Sequence, residues 1–366
     1  IYAGTDGNYH YSGKNVAGNG DAEKVHDDFA YTAGLRRYYW DIHEDSATGR
    51  LAANNNFTAD ASRVLLQGAL TGLANTDHVF AGASMPAVNN LAGRLADGES
   101  GFGGEAGYGR VRYETGSWLD FKGFSASVAY VRKSGTSATG AFIEYGDGKY
   151  DVFSHVYRYG GVTGGGNSKS VGGGLFHKRE LGGGIEAELF VRGGRVDSSF
   201  TLTRDPWLRH PEVHSYDTGA AYYGAHIGVS RNIPLKHNAS IELYAQGRYT
   251  HIDGDSFVTS FGDEVRVDGM DSLRSRVGVK FSRKNTAGTI KAFAGAAWEH
   301  EFKGQAAGFL GGDGITNPPS LKGGSLFGEL GLQADAGKNT SVNVSTYGYS
   351  GAKTGWGITL GLEHRF

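Results

Sequence analysis

The sequence has no cysteine, only two methionines and six prolines among 366 residues, and a formal net charge of -2. Each shortage excludes something. Without cysteine there is no disulfide-stapled scaffold and no thiolate site for zinc or an iron–sulfur cluster. Balanced charge leaves no electrostatic footprint for nucleic acid. Long hydrophobic runs are missing as well: mean hydropathy is -0.37, and nothing approaches the roughly 18 consecutive apolar residues of a transmembrane helix. The chain opens IYAGTDGNYHYSG, with no charged-then-apolar signal segment, and is expected to be a mature or excised fragment. Glycine and aromatics are what it has in excess: 61 Gly, 20 Tyr and 19 Phe. The glycines follow no G-X-Y period, which excludes collagen, and the aromatic content argues against disorder. A membrane β-barrel fits all these facts, because its strands are apolar only at alternate positions and hydropathy averages them away.

Period two is present. In the last eleven residues, WGITLGLEHRF, Trp356, Ile358, Leu360, Leu362 and Phe366 share one strand face, while Thr359, Gly361, Glu363 and Arg365 share the other. The alternation recurs in GIEAELFVRGG, ASIELYAQGRYTHI, SLRSRVGVKFSR and TIKAFAGAAWEHEF. One face is lipophilic; the other carries Glu, Arg, Lys and Gln in mid-strand. About twelve such segments follow Gly104, centred near 110, 126, 142, 175, 189, 225, 245, 277, 294, 330, 344 and 361, an even number as a single-chain bacterial barrel requires. Links near 133–137, 180–183, 232–239, 284–288 and 336–339 are short. Those near 147–169, 195–218, 252–271 and 300–323 are long, polar and glycine-rich. Short and long mostly alternate, which puts the short turns at a periplasmic rim and the long loops outside. A soluble sheet has no reason to sort its loops by length.

Residues 57–97 are helical in pattern. Thr58 and Asp60 are candidate caps, Val64, Leu65, Ala69, Leu70 and Leu73 recur at helical spacing, Pro86 suits a first turn, Val88, Leu91 and Leu95 share a face, and Gly98 is a stop signal. One broken helix or two short ones are expected.

A barrel ending in Phe366 with a helix before it resembles the C-terminal translocator of the autotransporters, the type V secretion proteins of Gram-negative bacteria, over 84–366. GITLGLEHRF looks like that family's terminal strand, with Thr359, Gly361, His364 and Phe366 forming the pattern read by the outer-membrane assembly machinery. AVNNLAGRLADGESGFGGEAG is similar to the junction of the serine-protease autotransporters of enteric bacteria, through Val88, Asn89, Asn90, Leu91, Arg94 and Gly104–Gly107, with one extra residue in the spacer. The resemblance implies a helix inside the barrel and, after export, a cut between Asn89 and Asn90. An Asn side-chain amide can attack its own main-chain carbonyl, closing a succinimide and expelling the next residue's amine. The amide is a weak nucleophile, so a lumenal acid or electrostatic partner is needed. The family's acidic residue on the fifth strand falls on Glu188; two further acidic positions fall on His226 and Gln246 and do not carry over. Read blandly, Glu186 and Glu188 are hydrated lumenal charges balancing Arg192, Arg248, Arg274 and Arg276.

His210 and His214 in HPEVH lack the order of a zinc protease site, the glycines from Gly101 lead into a strand instead of a helix, and GGDGITN is a single unit of a motif that binds calcium in arrays. The expectation is therefore an all-β transmembrane barrel of about twelve antiparallel strands with an α-helix in the lumen: 1–56 the stub of a secreted passenger, 57–103 the linker helix, 104–366 the translocator. It would sit as a monomer in the bacterial outer membrane, with the passenger at the cell surface or secreted in a virulence setting. Its partners would be outer-membrane lipid, the assembly machinery, periplasmic chaperones and its own passenger, with no cofactor, metal or nucleic acid. Its chemistry would be at most single-turnover self-cleavage. The rivals are a passive porin, a barrel adhesin gripping host ligands through long loops, and a soluble glycine-rich β-protein.

Overall fold

The computed structural model describes residues 64–154, 163–202, 213–260, 262, 264–310 and 318–366 in full, with backbone placement alone for some flanking stretches. Twelve antiparallel strands close into a barrel: β1 Ser100–Glu114, β2 Trp118–Ser134, β3 Ser137–Val156, β4 Gly160–Gly182, β5 Ile185–Arg204, β6 Glu212–Pro234, β7 Ala239–Ile252, β8 Met270–Lys284, β9 Ile290–Glu301, β10 Gly323–Asp335, β11 Thr340–Gly351 and β12 Lys353–Arg365. Every expected strand centre falls within one of them. Each strand pairs with its neighbour in sequence, and β12 returns to β1 with Arg365 opposite Gly101. Ser100 and Phe366 exchange backbone hydrogen bonds of 3.2 and 2.9 Å at the seam. Closure leaves no unpaired strand edge, which a structure immersed in lipid requires.

The faces sort as the alternation requires. Leu360 is 63% exposed and Ile227 62%, on the outer face, while Phe190 on the inner face is fully buried. Leu189, Val191, Leu243, Val277, Val279, Trp298, Trp356, Ile358 and Leu362 also point outward. So much aliphatic surface facing water would be unfavourable by roughly 25 cal/mol per Å²; facing acyl chains it is the solvated surface. No helix among the described residues is long and apolar enough to cross a membrane, and the strands do so instead.

The five short links are tight turns at one rim. Gly183 and Gly184, both at positive φ (62° and 76°), join β4 to β5 in the two-residue form whose twist suits a hairpin. The opposite rim departs from expectation. Residues 147–156 and 160–169, expected as one long loop, belong to β3 and β4, and most of 195–218 belongs to β5 and β6. These four strands of 20 to 23 residues exceed the ~10 needed to cross lipid, so the paired hairpins project beyond it. The links 252–271 and 300–323 contribute Asp255–Val258, Glu264–Val267, Gly308–Leu310 and Asp313–Gly314 to a small four-stranded sheet. Two further links at that rim, 115–117 between β1 and β2 and Ala352 between β11 and β12, are short.

The lumen holds a helix: α1 Arg63–Ala69, α2 Thr71–Val79, a single π turn Phe80–Ser84, and α3 Met85–Ala92. The residues flanking each junction keep right-handed helical angles, so it is one continuous rod. The expectations about its ends meet different outcomes. Thr58 and Asp60 fall in the backbone strand Arg50–Ala61, and their side chains lie outside the described residues. Gly98 does not stop it: the helix ends at Ala92, where Gly93 N–H bonds Asn89 O at 3.2 Å, and Gly98 at φ 84° instead makes the bend into β1. Pro86 sits in the first turn of α3 as expected. Of the expected stub 1–56, only backbone strands, Arg36–Asp45 among them, are placed; its side chains lie outside the described residues, as does His210.

Leu65, Leu66, Leu70 and Leu73 are buried against Phe121, Val152, Phe200, Leu202 and the small rim sheet. Lower down, Phe80 packs edge-on to Phe190 with ring centroids 5.6 Å apart, and Val88 and Leu91 join the same cluster. Glycine makes room for this. A Cβ on Gly103 would come within 2.6 Å of Ala87 O, and one on Gly109 within 2.9 Å of the His78 ring. The helix therefore lies against bare backbone of β1.

Candidate functional site

Two polar zones hold the helix. Around α2, Asp77 accepts hydrogen bonds from Arg248 (3.0 Å) and Arg274, with Lys353 Nζ at 3.6 Å. Glu299 binds Arg248 at 2.7 Å, Arg276 at 2.6 Å and Lys353 at 2.5 Å, and Glu301 binds Arg274 at 2.5 Å. On the other side Arg192 donates to Thr76 O at 2.9 Å and to Glu144 at 3.0 Å, and its guanidinium lies 4.7 Å over the Phe80 ring. Glu144 also accepts from Ser84 at 2.5 Å and Tyr222 at 2.7 Å. Asn75 and Gln67 donate to Ser168 and Thr115. A charge taken from water needs such partners, since a lone buried ion costs several kcal/mol.

The second zone surrounds α3. Asn89 and Asn90 occupy adjacent positions and line a cavity of about 560 Å³ shared with Glu105, Lys178, Glu186 and Glu188. Lys178 Nζ donates to Asn89 Oδ1 at 3.0 Å. It also lies 2.8 Å from Glu186 and 3.3 Å from Glu188. Strand register explains this convergence: Lys178 on β4 is directly opposite Glu188 on β5, and both face inward. His226 on β6 places Nε2 2.8 Å from Glu188 Oε1 and stacks edge-on against Phe190. Glu105, on β1, lines the same cavity as Asn90 and accepts from Asn343 Nδ2 at 3.3 Å. Gln246 lines the cavity.

Glu188 therefore does not touch Asn89; Lys178 stands between them. Nor do Glu186 and Glu188 balance the four arginines, which are held by Asp77, Glu144, Glu299 and Glu301. Lys178 escaped the sequence reading because it lies in HKRE beside a turn, where charges normally face water. Counting period two backward from the inward Glu188 through the hairpin would have found it.

The terminal-strand residues divide between the faces. Thr359 and Gly361 point inward; Thr359 lies 2.9 Å from the Ser345 hydroxyl, and any side chain on Gly361 would collide with Asn343 and Glu105. His364 and Phe366 face out. Phe366 packs beside Phe102, centroids 5.8 Å apart, and Phe102 beside Tyr130 at 5.4 Å, forming an aromatic patch at the short-turn rim. His214 lies on β6, in strand instead of loop.

With this geometry in place, comparisons with known proteins bear on the chain. The model of the autotransporter β-domain family matches residues 100–347. Among solved structures, the chain is similar to the translocator domain of NalP from Neisseria meningitidis, with 14% identity, TM-score 0.63, and coverage of 82% of this chain and 99% of that one. The β-domain of the Bordetella autotransporter BrkA matches at 18% identity and TM-score 0.58, covering 72% of this chain and 98% of that one. The transport unit of AIDA-I from Escherichia coli matches at 13% identity and TM-score 0.54, covering 82% and 99%. At such identities the likeness is one of fold. The search of curated proteins finds no match.

Proposed function

The chain belongs to the autotransporter β-domain family, whose place is the outer membrane, and from that premise we propose that it supports export of its own N-terminal passenger and then releases it by self-cleavage between Asn89 and Asn90. In this reading 1–56 is the passenger's stub, 57–103 the linker and 104–366 the translocator, delivered by periplasmic chaperones and inserted by the assembly machinery through Thr359, Gly361, His364 and Phe366. The short-turn rim faces the periplasm. The helix then runs from the outer rim, where α1 is packed, down to the periplasmic rim, where it joins β1.

The carrying observation is the cavity beside α3: the two asparagines face a space lined largely by polar side chains, while α1 and α2 are packed against the wall. Asn89 is the reacting residue. Its Nδ2 loses a proton and bonds to its own carbonyl carbon, the bond to Asn90 N breaks, and that nitrogen leaves as an amine carrying a proton. As Nδ2 gives up its proton, negative charge gathers on Oδ1, where Lys178 donates. A fixed cation at the atom that becomes anionic favours the transition state over the ground state. Glu186, Glu188 and His226 act as positioning residues through Lys178.

N-terminal sequencing of the membrane-retained fragment, after expression of the passenger-bearing chain in a Gram-negative host, tests this reading. A fragment beginning at Asn90 that vanishes in Asn89→Ala is expected; an intact native chain would refute cleavage and leave the barrel standing. The helix filling the lumen disfavours a passive porin, which needs an open channel.

A further inference from the structure

The outward face of the barrel changes abruptly toward the long-hairpin rim. On β1 and β2 the apolar band ends at Tyr108 and Phe124, which are directly opposite one another. The next outward row is cationic: Arg110 pairs in register with Lys122, and Lys122 with Lys149. Directly opposed residues carry their Cβ atoms about 5 Å apart, and like charges so placed repel. Neighbouring acids compensate only in part. Asp120 takes Arg110 in a two-pronged pair at 2.9 and 2.6 Å and Arg112 at 2.9 Å, so one carboxylate serves two guanidiniums. Asp151 lies 3.8 Å from Lys122, and Lys149 has no salt bridge among the described residues. Asp147, the next outward residue on β3, is taken by Lys169 at 3.7 Å, so four cations share the two carboxylates that remain. Elsewhere on this rim the rule is obeyed: Lys169 is opposite Asp147 on one side and Asp197 on the other. Aromatic rings bracket the row from both sides, with Tyr108 and Phe124 below it. Above it Trp118 stacks on Phe153 at 5.5 Å, and Arg112 lies 4.6 Å over the Trp118 ring.

We propose that the row Arg110–Lys122–Lys149 is a docking site for the phosphate of an outer-leaflet lipid, with the acyl chains running down the apolar face below Tyr108 and Phe124. An aromatic border marks the level of the headgroups, and cations immediately beyond it are where anionic headgroups are recognised. A phosphomonoester relieves the repulsion along the row by accepting from all three side chains at once. A soluble anion would have the same charge but would lack the apolar wall that anchors the lipid.

The test uses the full chain refolded into phosphatidylcholine nanodiscs containing either diphosphoryl lipid A or its phosphate-stripped form, read by native mass spectrometry and by the midpoint of heat-induced unfolding. Retention of the phosphorylated lipid and a higher midpoint with it are expected. The double variant Lys122→Gln and Lys149→Gln should bind it about thirtyfold less tightly, at roughly fivefold per cation. In phosphate-free detergent the same variant should be at least as stable as the native protein, which shows that the loss is not misfolding. Equal retention of the two lipids, or unchanged binding by the variant, would overturn the proposal. So would an equal stabilisation by inorganic phosphate alone, since the site would then be one for a soluble anion.

Discussion

The upper and lower halves of the lumen use the same helix differently. Around α1 and α2 the space is filled: Leu65, Leu66 and Leu70 are wholly buried, and Asp77 is enclosed by Arg248, Arg274 and Lys353. Around α3 one side packs on β1 and β2, while the other opens on the cavity beside Asn89 and Asn90. A packed zone whose charges are paired resists movement; a roomy polar one admits water and lets an amide leave its helical geometry. The π turn Phe80–Ser84 separates the two zones, a distortion of the kind that often accompanies functional sites. On the proposed reading, the upper half anchors the plug and the lower half carries the cleavage.

Substitutions can break that division. The largest effect is expected from Asn89→Ala, which removes the attacking nitrogen and should abolish release, measured as the ratio of cut to uncut chain on a gel, with heat-modifiable migration unchanged. Asp77→Ala comes next. It takes one carboxylate away from three buried cations, leaving Arg248 and Lys353 on Glu299 and Arg274 on Glu301, and removing one partner of a buried ion network costs about 3 kcal/mol; the unfolding midpoint should fall and single-channel conductance rise. If Asp77→Ala instead stops cleavage while stability holds, the two halves are not separate. Gly103→Ala forces a methyl against Ala87 O and should cost about 1–3 kcal/mol by overpacking, seen in the same unfolding assay. Lys178→Gln should slow cleavage about a hundredfold, the loss associated with one oxyanion-stabilising donor, without altering assembly. Glu188→Gln should have the smallest effect, roughly tenfold, since it acts only by placing Lys178; unchanged kinetics would remove Glu188 from the site.

Much of this was legible in the sequence, for physical reasons. Strands that cross lipid must alternate strictly, so Ile358, Leu360 and Leu362 disclosed both their strand and its outward face. The same logic failed where lipid ends. Beyond the membrane β3 to β6 have no lipid-facing apolar row to maintain, so GGVTGGGNSK and TLTR read as loop although hydrogen bonding continues through them. Asn89, Asn90 and Glu188 were named from the resemblance, with strand alternation turning Glu188 inward, and all three line one cavity. Lys178, Glu105 and Asp77 were not named, because their roles arise from pairing register and from one element threading another. The glycine excess also changes meaning. Gly103 and Gly109 are where the wall thins to backbone so that a helix fits inside a twelve-stranded barrel.

The most direct measurement is the mass of the released passenger's new C-terminal peptide. Cyclisation predicts a chain ending at Asn89 as a succinimide, lighter by one water than the same peptide with a free carboxylate and converting to it on mild base treatment. A terminal peptide that carries an ordinary Asn89 carboxylate from the outset, or that ends at another residue, would contradict the account.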